Sequence, residues 1–280
     1  MGWQITLSVD EFLATAGGFL RSRPLEHTIL LTVATTLQIR GEHHFAEADP
    51  IFGWFATADG PVDGAFLHTP PYPLLLAAVP EDSAPQLAEL LAGRKLPGVN
   101  GRTADADAFA GAWTRLTGAA IAPGLQSRLY RLDKLRPPVP SPAGAARVAG
   151  DGDRNLLVEW FHAFQRDIGE PARDVEDLVD DMLAYRGLRL WEVEGKPVAM
   201  AGTTRPEAGM VRVVAVYTPR DLRGRGYGGA VTTAVTRAAL DAGAEDVVLF
   251  TDLANPTSNA LYQRLGYRPV EDRSVVEFTA

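Results

Sequence analysis

The sequence contains no cysteine. That excludes disulfides, thiolate metal sites and a cysteine nucleophile together, and it suits a reducing compartment. No apolar run approaches the roughly 20 residues that a bilayer span requires. The opening MGWQITLSVDEFLATAGGFL lacks a basic leader and is interrupted by Asp10 and Glu11, so no secretory signal is expected. Positive charge is also scarce: 27 lysines and arginines stand against 35 aspartates and glutamates, a net charge of −8. Such an excess of acid disfavours nucleic acid and anionic membranes as partners. Two of the five histidines are adjacent in GEHHF, which reads with Glu42 as a solvated loop. The expectations are a cytoplasmic location, no metal, no nucleic acid and no membrane.

What is present suffices for a packed protein: 280 residues, 46% of them hydrophobic. The clearest boundary is RPPVPSPAGAARVAGDGD, residues 136–153, whose four prolines and small residues read as an extended connector. Domains are therefore expected at 1–135 and 151–280, with a linker at 136–150. In the second, DRNLLVEWFHAF and DVEDLVDDMLAYR have helical spacing. Asp174, Asp177, Asp180 and Asp181 are expected on one face, opposite Val175, Leu178, Val179, Met182 and Leu183. Three antiparallel strands follow, then helix, strand, helix and strand, an α/β (α+β) mixed sheet flanked by helices. The first half repeats that order in pattern: a helix with Ser8 and Glu11 spaced as a capping box, then FGWFATADGPVDGAFLHTPPYPLLLAAV as three strands. TILLTVATTLQI fits either helix or strand. Two copies of one fold in tandem are expected.

Chemistry concentrates in RDLRGRGYGGA, residues 220–230, which gathers four glycines and three arginines in an acidic chain. A strand runs through a loop into a helix whose first turn is nearly all glycine. Free N–H groups and the positive end of the helix dipole suit an anion there. Glycine admits phosphate to the backbone, and Arg223 and Arg225 add forked donors. A pyrophosphate is the natural occupant. Gly224, Gly226 and Gly229 also satisfy G-x-G-x-x-G, with Asp252 ending the next strand. A dinucleotide fold fits less well, because TPRDLR separates strand from glycines and the preceding strands read as antiparallel.

The loop with Arg223, Gly226 and Gly228 resembles the R/Q-x-x-G-x-G/A motif of the GNAT superfamily of acyl-CoA-dependent N-acetyltransferases. NPTSNALYQRLGY resembles the family's later helix, with Asn255, Leu261, Tyr262, Gly266 and Tyr267 in register and Ser258 replacing its alanine. The resemblance covers about 147–280. It implies acetyl-CoA as cosubstrate, lying between the fourth and fifth strands of the second half. By it, Ala215, Val216 and Tyr217 hold the pantetheine arm and present an oxyanion donor. Arg223, Gly224, Arg225, Gly226, Tyr227, Gly228 and Gly229 hold the pyrophosphate. Asn255 and Asn259 hold the arm from the far side, and Tyr262 protonates the departing thiolate. The implied reaction is direct attack of a primary amine on the thioester. The general base is open among Glu192, Asp252, Glu159 and His162, since the strand position where some relatives carry glutamate falls on Phe250.

Setting Pro80 against Pro219 places Ala84, Leu87 and Glu89 where Arg223, Gly226 and Gly228 stand. With Glu81 and Asp82 nearby, the first half is expected to have lost cofactor binding. Three function classes stay open: an acetyltransferase, an acyl-CoA-binding pseudoenzyme and a dinucleotide-binding protein. If the face with Asp174, Asp177, Asp180 and Asp181, preceded by Glu170, lines the acceptor side, a cationic amine is favoured.

Overall fold

The computed structural model describes residues 1–44, 48–57, 60–169 and 174–279. They form two units, one of Met1–Leu129, Asp252–Ala254 and Val270–Ala280, the other of Tyr130–Thr251 and Asn255–Pro269. Among the described residues no helix is long and apolar enough to cross a membrane.

The first unit begins with a strand that its sequence hides, β1 (Gly2–Thr6), before helix α1 (Val9–Ser22). Five residues are too few for alternation to declare itself. Ser8 caps α1 by accepting the Glu11 N–H at 3.3 Å, but the return half of the box does not form. Glu11 instead accepts the Thr6 hydroxyl, and Glu42 takes the Val9 N–H at 2.9 Å. The ambiguous run is helix α2 (Thr28–Arg40). Leu30, Leu31, Ala34 and Leu37 are buried at helical spacing, while Thr32 and Thr36 return their hydroxyls to carbonyls four residues back. Then come β2 (Ile51–Ala56), β3 (Val62–His68), β4 (Leu74–Ala77), α3 (Ala84–Leu90), β5 (Gly98–Arg102), α4 (Thr103–Thr117) and β6 (Ala120–Leu132). Helices α1 and α2 cover one face of the sheet around Phe52 and Leu67. Helices α3 and α4 cover the other through Leu87, Phe109 and Trp113.

The second unit takes in the end of β6 from Tyr130 and continues with β7 (Ala145–Val148), inside the stretch read as a connector. Its four residues pair antiparallel with β8 (Leu188–Val193), so the linker expectation is corrected there. Proline and glycine on both sides masked a short edge strand. Between them lie α5 (Arg154–Ile168) and α6 (Glu176–Ala184). There follow β9 (Lys196–Thr203), β10 (Met210–Tyr217), α7 (Tyr227–Asp241), β11 (Asp246–Asp252), α8 (Pro256–Arg264) and β12 (Tyr267–Thr279). Helices α5 and α6 pack on one face with Leu188, Leu190 and Met200, and α7 and α8 on the other with Val211 and Val213.

Each half of the sequence therefore reads strand, two helices, three strands, helix, strand, helix, strand. Pairing directions also repeat. β1–β2, β2–β3 and β3–β4 are antiparallel and β4–β5 parallel; β7–β8, β8–β9 and β9–β10 are antiparallel and β10–β11 parallel. The first unit's β5 takes as its neighbour the C-terminal strand, Arg273 standing opposite Arg102.

That strand brings in a buried charge. Arg273 is 2% exposed and donates to Glu271 at 3.1 Å, and to the carbonyls of Glu26 and Leu76 at 3.3 Å each. Its Nε has no partner. Removing the carboxylate strands a buried guanidinium, so Glu271→Ala should destabilise the protein by about 3–5 kcal/mol. Glu271→Ala combined with Arg273→Met should recover most of that loss. Urea midpoints of the two variants check this, and equal midpoints would refute it.

Candidate active site

Strands β10 and β11 pair from Met210 opposite Asp246 to Val213 opposite Leu249. β10 continues to Tyr217 and β11 to Asp252, beyond that ladder. The reason lies in β10, whose register with β9 slips between Val214 and Tyr217, with Ala215 in the left-handed region at φ +49°. One extra residue inverts the faces of everything after it. Val211 and Val213 pack on the α7 side, whereas Ala215 and Tyr217, of the same parity, pack on the α5–α6 side. The bulge leaves the backbone of Ala215, Val216 and Tyr217 at the place where the two strands stop pairing.

The loop after β10 makes a short 3-10 turn at Arg220–Leu222 and enters α7 at Gly226. Gly226 is the N-cap at φ +84°, with no side chain capping the helix. The first helical bond runs from the Ala230 N–H to the Gly226 carbonyl, so the N–H groups of Tyr227, Gly228 and Gly229 form the bare helix start. Gly224 is also left-handed, at φ +78°, and an added Cβ would meet nothing within 4 Å. Gly229 serves packing instead: a Cβ there would stand 3.1 Å from Leu261 Cδ1, on α8. Arg225 donates to the Asp221 carbonyl at 3.2 Å.

Arg223 is held more firmly than its sequence suggested. Its Nε donates to the Thr218 carbonyl at 2.9 Å, and its Nη2 to the carboxylate of Asp167. Asp167 also receives Arg220, through Nη2 at 2.6 Å and Nε at 3.1 Å. Asp167 lies on α5, too far back in the chain for motif spacing to find it. On the same helix Trp160 meets the ring of Tyr217 at 5.8 Å.

Asn255 caps α8, accepting the Ser258 N–H at 3.0 Å. Asn259 is engaged inside the unit: its amide donates to the Asn255 carbonyl at 2.7 Å, and its oxygen accepts the Tyr130 hydroxyl at 2.9 Å. Tyr262 is buried in the α7–α8 core, edge-on to Tyr267 at 6.2 Å. Burial alone pushes its phenol up to about 12, so it remains a neutral O–H donor across the physiological range.

Each of the four base candidates has its own surroundings. Glu192 accepts Arg147 at 2.7 Å, and Asp252 accepts the Ala254 N–H at 2.8 Å. Glu159 is exposed and His162 half-buried. The acidic face of α6 is corrected too. Asp181 is buried and bonded through both oxygens to Arg205, Asp180 pairs with Arg154, and Asp174 caps the Glu176 N–H. Leu178, expected inside, is 44% exposed. The helix is rotated from the expected stripe because the Asp181–Arg205 pair satisfies a carboxylate inside. Glu170 lies outside the described residues.

A bare helix start, two left-handed glycines and guanidiniums beside an unzipped strand pair can hold a pyrophosphate and, next to it, an extended chain. Residues 155–267 match the model of the Acetyltransferase (GNAT) family. Over the whole chain the fold is similar to that of a GNAT-family acetyltransferase from Colwellia psychrerythraea, at 15% identity, 99% of each chain and TM-score 0.60. A Drosophila protein is similar at 14% identity, over 97% of this chain and 95% of that one, with TM-score 0.66. A GCN5-related N-acetyltransferase from Sphaerobacter thermophilus matches at 16% identity, 99% and 95% coverage, and TM-score 0.62. At these identities the likeness is one of fold. No curated protein sequence matches the chain.

The strained bulge gives a test. At φ +49° an alanine pays roughly 1–2 kcal/mol that glycine does not. Ala215→Gly regains this but loses a buried methyl of about 0.8 kcal/mol and loosens the unfolded chain by about 0.4–1 kcal/mol. Its unfolding free energy should therefore stay within about 1 kcal/mol of the parent. Ala215→Val, β-branched at positive φ and overfilling a buried site, should lose about 2 kcal/mol or more. Chemical denaturation of both variants decides the matter; an undisturbed valine variant would contradict the bulge.

Proposed function

We propose that this chain, whose residues 155–267 match the model of the acetyltransferase (GNAT) family, is a cytoplasmic N-acetyltransferase. It moves an acetyl group from acetyl-CoA to a primary amine by direct attack on the thioester. The observation that carries the reading is the strand pair that unzips at Ala215 beside the uncapped start of α7. The N–H groups of Tyr227, Gly228 and Gly229, with Gly224, Gly226, Arg223 and Arg225, take the pyrophosphate. The backbone of Ala215, Val216 and Tyr217 takes the pantetheine arm and offers an N–H where charge develops on the thioester oxygen. Asn255 supports the arm from the other side. Asn259 acts through Asn255 and Tyr130, to which it is bonded.

The N–C bond forms as the C–S bond breaks, the amine gives up one proton to water and CoA leaves as its thiolate. A phenol near 12 is too weak an acid to transfer its proton outright to a thiolate whose conjugate acid lies near 8.5. Tyr262 is therefore read as a hydrogen-bond donor that stabilises the departing sulfur. The acceptor is an amine, with charge selection by α6 reduced to Asp177, because Asp174, Asp180 and Asp181 are engaged.

We read the two units as tandem copies of one fold, with one acetyl-CoA per chain. In the first unit the N-cap of the third helix, where Gly226 stands in the second, is Ser83, and Leu87, set against Gly226 by sequence alone, lies one turn further on in the core. Leu76, near the end of β4, has its carbonyl taken by Arg273. There too the pairing of the fourth and fifth strands stops early, at Leu75 opposite Asn100, but a Cβ on Gly101 would lie 3.1 Å from Leu76 Cβ.

Gly228→Asp tests the cofactor site without straining the loop. A Cβ at this position has ordinary clearance, 3.5 Å from Thr218 Oγ1, and an acid in the first turn favours the helix by about 0.3–1 kcal/mol. Thermal stability should hold or rise while calorimetric binding of acetyl-CoA falls at least a hundredfold. Undiminished binding, or two sites per parent chain, would sink the reading.

Tyr262→Phe should lower kcat by roughly tenfold to a hundredfold, the scale of one hydrogen bond to a charged group, with little change in acetyl-CoA affinity. Because the phenol's pKa is raised, its donor stays present as pH rises. The parent's kcat/KM should thus climb as the amine loses its proton and show no alkaline decline up to pH 10. A fall near pH 9–10 would assign the acid role to another group.

A further inference from the structure

We propose that Asp167 is the positioning residue of the cofactor loop, fixing Arg223 and Arg220 before any phosphate arrives. The inference rests on the acetyl-CoA reading above. Asp167 stands in the last turn of α5 with its side chain only 16% exposed. One carboxylate oxygen takes both donors of Arg220, and the other takes Nη2 of Arg223. Although burial works against its charge, the hydrogen bonds from Arg220 and Arg223 hold its carboxyl below the usual carboxylate range.

Three restraints then fix Arg223. Nη2 is on Asp167, Nε is on the Thr218 carbonyl at 2.9 Å, and the guanidinium carbon lies 5.9 Å from the centre of the Tyr217 ring. The Nη1 group, with two N–H bonds, is the edge these restraints leave for an incoming oxygen. A free arginine has many rotamers to lose on binding a phosphate; one already oriented loses few. Charge does not cancel, since one carboxylate faces Arg220 and Arg223 while Arg225 adds a third guanidinium to the loop. The loop therefore remains an anion site with its arms in place.

The experiment is calorimetry of the parent and Asp167→Asn with CoA, and separately with pantetheine, which lacks the phosphates, both in the absence of amine. Asparagine keeps one acceptor oxygen but cannot serve two guanidiniums. CoA should bind roughly 3–30-fold more weakly to the variant, and pantetheine equally to both proteins. Asp167→Glu should restore part of the CoA affinity. Tighter CoA binding by Asp167→Asn would make Asp167 a competitor of phosphate and overturn the proposal. Equal weakening for CoA and pantetheine, or failure of Asp167→Asn and Asp167→Ser to fold, would reduce Asp167 to structural support and overturn it as well. Unchanged CoA affinity in the variant overturns this inference alone. A parent that binds no CoA overturns the acetyl-CoA reading, and this inference with it.

Discussion

The site depends on one residue too many in β10. A β-strand presents alternate side chains to alternate faces, and only an inserted residue can change that parity within a strand. The insertion at Ala215 does so while the left-handed φ of that residue bends the chain. Before it, valines pack toward α7. After it, Ala215 and Tyr217 pack toward α5 and α6. The same turn that ends the pairing with β11 delivers Tyr217 to Trp160 and sets the next loop over α5, where Asp167 waits for its arginines. Strain, packing and electrostatics thus meet at one position, and the cost of the left-handed alanine is offset by two cores rather than one.

The two units show what the opening requires. They share element order and pairing directions, and in both the ladder between the fourth and fifth strands ends early, at Leu75 opposite Asn100 in the first and at Val213 opposite Leu249 in the second. In the first, these strands remain in contact at Leu76 and Gly101, the third helix buries Leu87, and Arg273 donates to the Leu76 carbonyl. A strand pair left open exposes backbone groups that water or a ligand must satisfy. In the first unit the Arg273 guanidinium satisfies one of them, the Leu76 carbonyl.

Much of this was legible in the residues. Glycine and arginine clustered before a helix have few purposes besides an anion, and helical or alternating periods marked most elements of both halves. Short strands escaped. GWQIT and AARV span too few residues for a period, and the second is hidden among prolines and glycines. The bulge escaped because VRVVAVY alternates no worse than an ordinary strand; parity reversal is visible only when both faces have partners. Asp167 escaped because its partners are 53 and 56 residues away, a distance no local motif spans. The aspartates of α6 misled for a related reason: spacing shows which residues share a face, not which carboxylate finds an arginine.

That last distinction bears on how an acidic chain handles anionic and cationic partners. Net charge, −8 here, sets the field at a distance, but screening confines single charges to about a Debye length of roughly 8–10 Å. What a ligand meets at the surface is the set of charges left after internal pairing. On α6 pairing removes most of the carboxylates that a formal count would offer to a cation. At the loop before α7 one aspartate faces two of the three arginines and leaves positive charge in excess. The sign of each surface is therefore decided by tertiary pairing, and positive charge is left at this loop of an acidic protein because Asp167 pairs with Arg220 and Arg223 together.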